Sequence, residues 1–410
     1  MRIKIRDITS VLLIVFSIIQ IGYFKLLGEQ ISLFADASSN PLAVFYFLFT
    51  LVIMFTYLIR KKEKNKYIQF EVIIVLIAIL LGVIRSLISG EIELFEGIKN
   101  ANSYLYIVLA LPIYDLLKRK WNLRELLKFL LFFTMGMFII KAYISYYYGL
   151  TGTILWPAIG QENAVSSYVW TRNDVMRVNP ACFGSLAIPI SYYLMQTTKK
   201  LKNRILYLAC IVGVIVYTLQ IHQARSVLIY ELLTIVLLIM MPKINSKAGL
   251  FRLALLVVGV IAFINSSYFS NLIGSFAPGT QTGESALSRF SSFFYFGGKF
   301  LNNPLFGTGT LTVNNMYAIG ISGHISDIGF LTSVFQYGLL IIVFLVNLFK
   351  RGYTLSVRLR KENSPLFLLI FGMTASVMLT GINIDCFSSL YAFSLPFYIA
   401  ICEYVWILSK

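Results

Sequence analysis

Apolar runs of bilayer-crossing length recur twelve times along this chain, and nearly every second connector between them is crowded with Lys and Arg. A helix needs about 20 apolar residues to cross about 30 Å of hydrocarbon at about 1.5 Å per residue. The runs are 8–27, 42–59, 68–88, 101–117, 126–148, 179–197, 205–221, 226–241, 250–266, 327–349, 365–383 and 389–408. A barrel would instead show short strands of alternating polarity, so the expected fold is all-α. At 58% hydrophobic and 13% charged over 410 residues, the chain carries more apolar surface than a soluble core of this length can bury. Of the 35 Lys and Arg, 26 fall on one set of connectors and termini. Cytoplasmic loops collect such cations, so both termini are expected in the cytoplasm, and the even span count agrees. The net charge of +17 is therefore a topology signal and no argument for nucleic acid.

Residues 1–37 contain Ala35-Asp36-Ala37, a small-x-small pattern, but the apolar run is too long and ends too far upstream for a cleaved signal. It reads as the first span. Cys182, Cys210, Cys386 and Cys402 lie in or beside spans without paired spacing, which predicts buried small hydrophobes. Residues 1–410 read as a single integral membrane domain with two long outward loops, 149–178 and 267–326. Loops of that length are uncommon unless they carry function or are disordered. Within the second, 267–285 reads as irregular. Residues 286–301 place Leu287, Phe290 and Phe294 at helical spacing, as in an amphipathic helix lying in the interface. Pro304-Leu305-Phe306-Gly307-Thr308-Gly309 then reads as a turn.

Arg172, Arg177, Arg225, Arg289 and His324 all fall on the outward side. A guanidinium presents a rigid fork that matches phosphate oxygens, so arginines converging at a bilayer surface suit a lipid-linked phosphate or pyrophosphate. The alternative is that they are solvated charges balanced by Glu162, Asp174, Glu284 and Asp327. Arg225 stands apart because it sits in a four-residue hairpin between apolar spans, where an unpartnered charge is costly. His324 and Asp327 share a face if a helix starts there. The histidine suits proton transfer or phosphate contact, and Asp327 suits an N-cap. Trp156, Tyr168 and Trp170 either stack on sugar rings or form an interfacial belt. Glu91 and Glu93 are a weak metal motif, and no metal or cofactor is expected. Lys141, Glu231 and Glu403 lie inside spans, with buried partners or snorkelling as their simplest account.

Four segments together resemble the family of O-antigen and capsule polymerases and O-antigen ligases. They are Arg177-Val178-Asn179-Pro180, then Gln223-Ala224-Arg225-Ser226, then Arg289 followed by the Pro304–Gly309 turn, then His324 followed by Asp327-Ile328-Gly329-Phe330-Leu331 and Tyr337-Gly338-Leu339. The chain departs from the family pattern at Ala224, where Ser is usual, and at Ile325, where ligases carry Asn. The Asp-x-Gly-aromatic-Leu form is closer to the polymerase branch. The resemblance implies metal-independent glycosyl transfer at the outer face of the bacterial cytoplasmic membrane. The donor is a glycan on undecaprenyl pyrophosphate, and the acceptor is the terminal sugar of a lipid-linked repeat unit. A flippase and a chain-length regulator are the implied partners. It further implies that Arg225, Arg289 and Arg177 hold the pyrophosphate and that His324 is base or phosphate contact with Asp327 as orienter. Arg172, by its loop position, and Trp170, as a ring that can stack on sugar, are the remaining substrate-binding candidates. The competing readings are a ligase of the same family and a lipid-linked glycan transporter, whose ionisable groups would sit at the midplane between repeated halves.

Overall fold

The computed structural model describes residues 65–90, 92–119, 121–153, 155, 171–172, 175–180, 183–241, a few positions between 254 and 270, 281–311, 324–388 and 394–410. The expected spans 8–27 and 42–59, most of 250–266, Trp156, Tyr168, Trp170, Cys182 and the middles of both long loops lie outside these residues. Among the described residues the chain is helical apart from a two-strand ribbon, β1 (Thr171–Arg172) antiparallel to β2 (Val175–Met176). The helices are α1 (Lys66–Ile88), followed by a short helical segment Leu94–Asn100, then α2 (Ala110–Arg119, led in by a 3-10 stretch Asn102–Leu109), α3 (Leu123–Thr151), α4 (Gly184–Thr197), α5 (Leu201–Tyr217) and α6 (Arg225–Met240). They continue as α7 (Gln281–Leu301), α8 (Phe330–Tyr337), α9 (Leu339–Lys361), α10 (Leu366–Gly381) and α11 (Ser394–Leu408).

Four helical stretches in the described residues are long and apolar enough to cross a bilayer: Lys66–Ile88, Leu123–Thr151, Leu201–His222 and Leu339–Lys361. Helix α1 shows why water is the wrong solvent for them. Ile68, Val72, Val75, Ile79 and Val83 face the core, while Phe70, Ile73, Ile77, Leu80 and Ile84 form a second apolar stripe on the exposed side. A helix apolar all round needs either burial or lipid. Helix α5 repeats the pattern, with Ile205, Leu208, Val212 and Val216 exposed opposite Tyr207, Ile211 and Val214.

Helix α4 is the hub, packed against α3, α5, α6 and α10, and α11 closes the bundle against α2 and α9. Pro189 interrupts α4 and, lacking an N–H, leaves the Ser185 carbonyl without its usual donor. Ser376 of α10 supplies one through its hydroxyl, so the defect becomes a helix-to-helix link. Cations tie the helices to one another. Arg124 donates to Thr198 Oγ1 at 2.6 Å, Arg204 to the Thr198 carbonyl at 2.7 Å, and Arg351 pairs with Glu403 at 2.6 Å. Arg351 also lies 3.5 Å over the Trp406 ring, and Asn65 donates to the other Glu403 oxygen. Glu403, expected inside a span, thus has two half-buried partners.

Three expected boundaries move. The run 179–197 becomes helical only at Gly184, because the chain before it is held as an extended strap by side chains from α3 and α5. The last residues of the segment expected to be irregular, 281–285, already belong to α7. The run 327–349 is not one helix. A 3-10 turn (Ile325–Ile328) leads to the short α8, and α9 starts after a break at Gly338 and runs on to Lys361, so the basic stretch 350–361 forms its last turns rather than a connector. Gly338 has φ 76°, and a Cβ there would overlap the Leu305 carbonyl, so only glycine fits. The Pro304–Gly309 turn fills the break. Thr308 and Gly309 amides donate to the Phe335 and Gln336 carbonyls at 2.7 and 2.9 Å, satisfying the end of α8. From α1, Arg85 donates to the Gly307 carbonyl and Ser86 Oγ to the Thr310 carbonyl.

Candidate active site

The sequence-predicted cations sit on elements joined by a series of contacts. Helix α5 ends in a wide π-type turn, Thr218–His222, and Gln223 takes a left-handed φ of 51° that folds the chain back. A non-glycine residue in that region is uncommon and often marks a functional turn. Ala224 is extended, and Arg225 opens α6 half-buried. Arg177, in the strap after β2, donates Nε to the His222 carbonyl at 3.0 Å, which ties strap to hairpin. Thr218 Oγ1 donates to Glu231 at 2.9 Å across the same hairpin, giving that intramembrane acid a partner.

From α6 the series passes to the turn between α10 and α11. Asn383 Nδ2 donates to Ser226 Oγ at 2.9 Å, beside Arg225. Gly329, at φ 61°, seats the 3-10 turn on the Gly381 and Ile382 carbonyls. The 3-10 turn carries His324 at its start and packs against α7. Arg289 of α7 is half-buried, and among the described residues its Nε has no hydrogen-bond partner. On α7, Leu287, Phe290 and Phe294 are 61, 65 and 71% exposed while Ser288, Ser292 and Phe296 are buried, so the expected apolar stripe is present and faces outward.

His324 is the N-cap of the 3-10 turn: its Nδ1 accepts from the Ser326 amide at 3.1 Å and lies 2.6 Å from Ser326 Oγ. The capping role foreseen for Asp327 therefore belongs to His324, and Asp327 lies inside the turn, its side chain outside the described residues. With Nδ1 committed as an acceptor, the neutral ring carries its proton on Nε2. It then offers a donor to an anionic or hydroxyl oxygen, which suits phosphate contact better than a general base. Arg172 pairs through its backbone with Val175 in the ribbon, its side chain being outside the described residues, as is all of Trp170.

Sequence reasoning passed over Asp385. It is 4% exposed in the turn after α10 and accepts from Ser333 Oγ, from Tyr104 OH at 3.3 Å and from the Phe387 amide at 3.1 Å. Tyr104 stacks on Phe387 with ring centroids 4.5 Å apart. The available signal was an acid in the short connector between the last two spans. Burial pushes its carboxyl up to about 6, opposed by the bonds from Ser333, Phe387 and Tyr104. An unfolded Asp titrates near 4, so the stability that the protonated form contributes is complete below about pH 4 and lost as pH rises through about 6. Thermal unfolding in detergent is expected to show this fall in the wild type and none in Asp385→Asn. Parallel profiles for the two would contradict the assignment.

No family model and no curated protein matches the chain.

Proposed function

We propose that this protein is a polysaccharide polymerase of the bacterial cytoplasmic membrane, with about twelve spans and both termini in the cytoplasm. In this reading it joins undecaprenyl-pyrophosphate-linked repeat units at the outer face. The observation that carries it is the series of contacts joining the elements of Arg177, Arg225, Arg289 and His324, which lies at the opposite end of α5 from the Thr198 corner held by Arg124 and Arg204.

The chemistry follows from the leaving group. Pyrophosphate departs as an anion, so the reaction chiefly needs fixed cations where that charge grows. Arg225, Arg289 and Arg177 supply bidentate donors that stay charged at any working pH. His324 donates from Nε2 to a phosphate or acceptor oxygen. Arg172, by its loop position, and Trp170, as a ring that can stack on sugar, complete the substrate contacts, and Asp327 orients His324 on the family resemblance alone. Helix α7 lies with its aromatic stripe outward, giving a polyprenyl tail apolar surface beside Arg289 without leaving the bilayer. The test is chain growth by purified protein in detergent on lipid-linked repeat units.

A further inference from the structure

The strap before α4 is held with more care than a connector needs. Ser145 Oγ donates to the Met176 carbonyl at 2.7 Å, and Tyr217 OH donates to the Val178 and Asn179 carbonyls at 3.0 and 3.1 Å. Lys141 Nζ adds a second donor to Asn179 at 2.9 Å. Met176 and Val178 are buried against Ile144, so both sides of Arg177 are packed down while its own side chain turns to the His222 carbonyl. Lys141 is 0% exposed, so its ammonium does not snorkel towards water. Tyr217 is itself fixed by its ring stacked 4.1 Å from Phe138, one turn before Lys141 on α3. A buried ammonium within a membrane span is costly, and such residues mark function there.

We propose that Lys141 is a positioning residue: with Tyr217 it locks the Met176–Asn179 strap so that the Arg177 guanidinium is held at the Arg225 hairpin, ready for a diphosphate. This rests on the proposed glycosyl transfer. The physical reason is geometric, since a displacement of about 1 Å at a substrate-holding group costs on the order of 10²-fold in rate.

The test is a double-mutant cycle on the full chain in detergent, reading turnover on lipid-linked repeat units and binding of inorganic pyrophosphate. Lys141→Met is expected to lower turnover about 10²-fold, with partial recovery in Lys141→Arg, which keeps a donor. Tyr217→Phe, which keeps the stacked ring, is expected to lose less. Adding Lys141→Met to Arg177→Ala should cost nothing further, because a residue acting through Arg177 has nothing left to position. An additive loss on Arg177→Ala, or full turnover in Lys141→Met, overturns the assignment. If Lys141→Met does not fold, Tyr217→Phe with and without Arg177→Ala decides by the same criterion. A wild-type protein that neither extends the glycan nor binds pyrophosphate contradicts the proposed function and this role together.

Discussion

Arg225→Ala is expected to abolish detectable chain growth while leaving folded protein in the membrane. Removing one fixed donor from a developing anion typically costs about 10²–10³-fold in turnover. The backbone at Arg225 is fixed on both sides: the left-handed Gln223 aims the chain, and Ser226 is tied to Asn383. Arg225→Lys should recover little, since an ammonium is a point charge without the fork. The fold should tolerate both changes, because Arg225 opens α6 at a position where a side chain need not satisfy the helix. Full chain growth by Arg225→Ala, measured on protein quantified in the membrane, would make this arginine a surface charge.

His324 should separate a capping role from a chemical one. His324→Ala removes both the ring and the cap on Ser326, and loss of an N-cap costs about 1 kcal/mol. His324→Asn keeps a side-chain acceptor suited to the same cap and removes the Nε2 donor. Both variants are expected to lose about 10²-fold or more in turnover, with only the alanine variant losing thermal stability. Near-normal turnover in His324→Asn would leave the histidine as a cap and nothing else.

How far the sequence reached can be read from particular residues. Helices such as α1 and α5 were legible because they are apolar on every face over a length that crosses a bilayer. The α7 stripe was legible for the complementary reason, since Leu287, Phe290 and Phe294 repeat at helical spacing beside serines. The break at Gly338 was hidden because hydropathy is unchanged across it, and the cause lies in the Pro304–Gly309 turn, far away in sequence. The late start of α4 was hidden likewise, because donors on α3 and α5 outcompete helix formation at 176–179. Arg177, Arg225 and Arg289 were found as a charge pattern, but their connection through Asn383 and Gly329 was not. Those contacts are made by neutral residues in short turns. Asp385 escaped for the same reason: its partners Tyr104 and Ser333 come from two other parts of the chain.

The account stands or falls on whether this protein makes glycosidic bonds unaided. Purified full-length protein is given undecaprenyl-pyrophosphate-linked repeat units in detergent, with a chelator present and no ion gradient, and the glycan is resolved by length. A ladder of lengthened, still lipid-linked glycans that disappears in Arg225→Ala is the predicted result. Repeat units that stay single at every substrate level would contradict it and favour a transporter, which has no second compartment to fill in detergent.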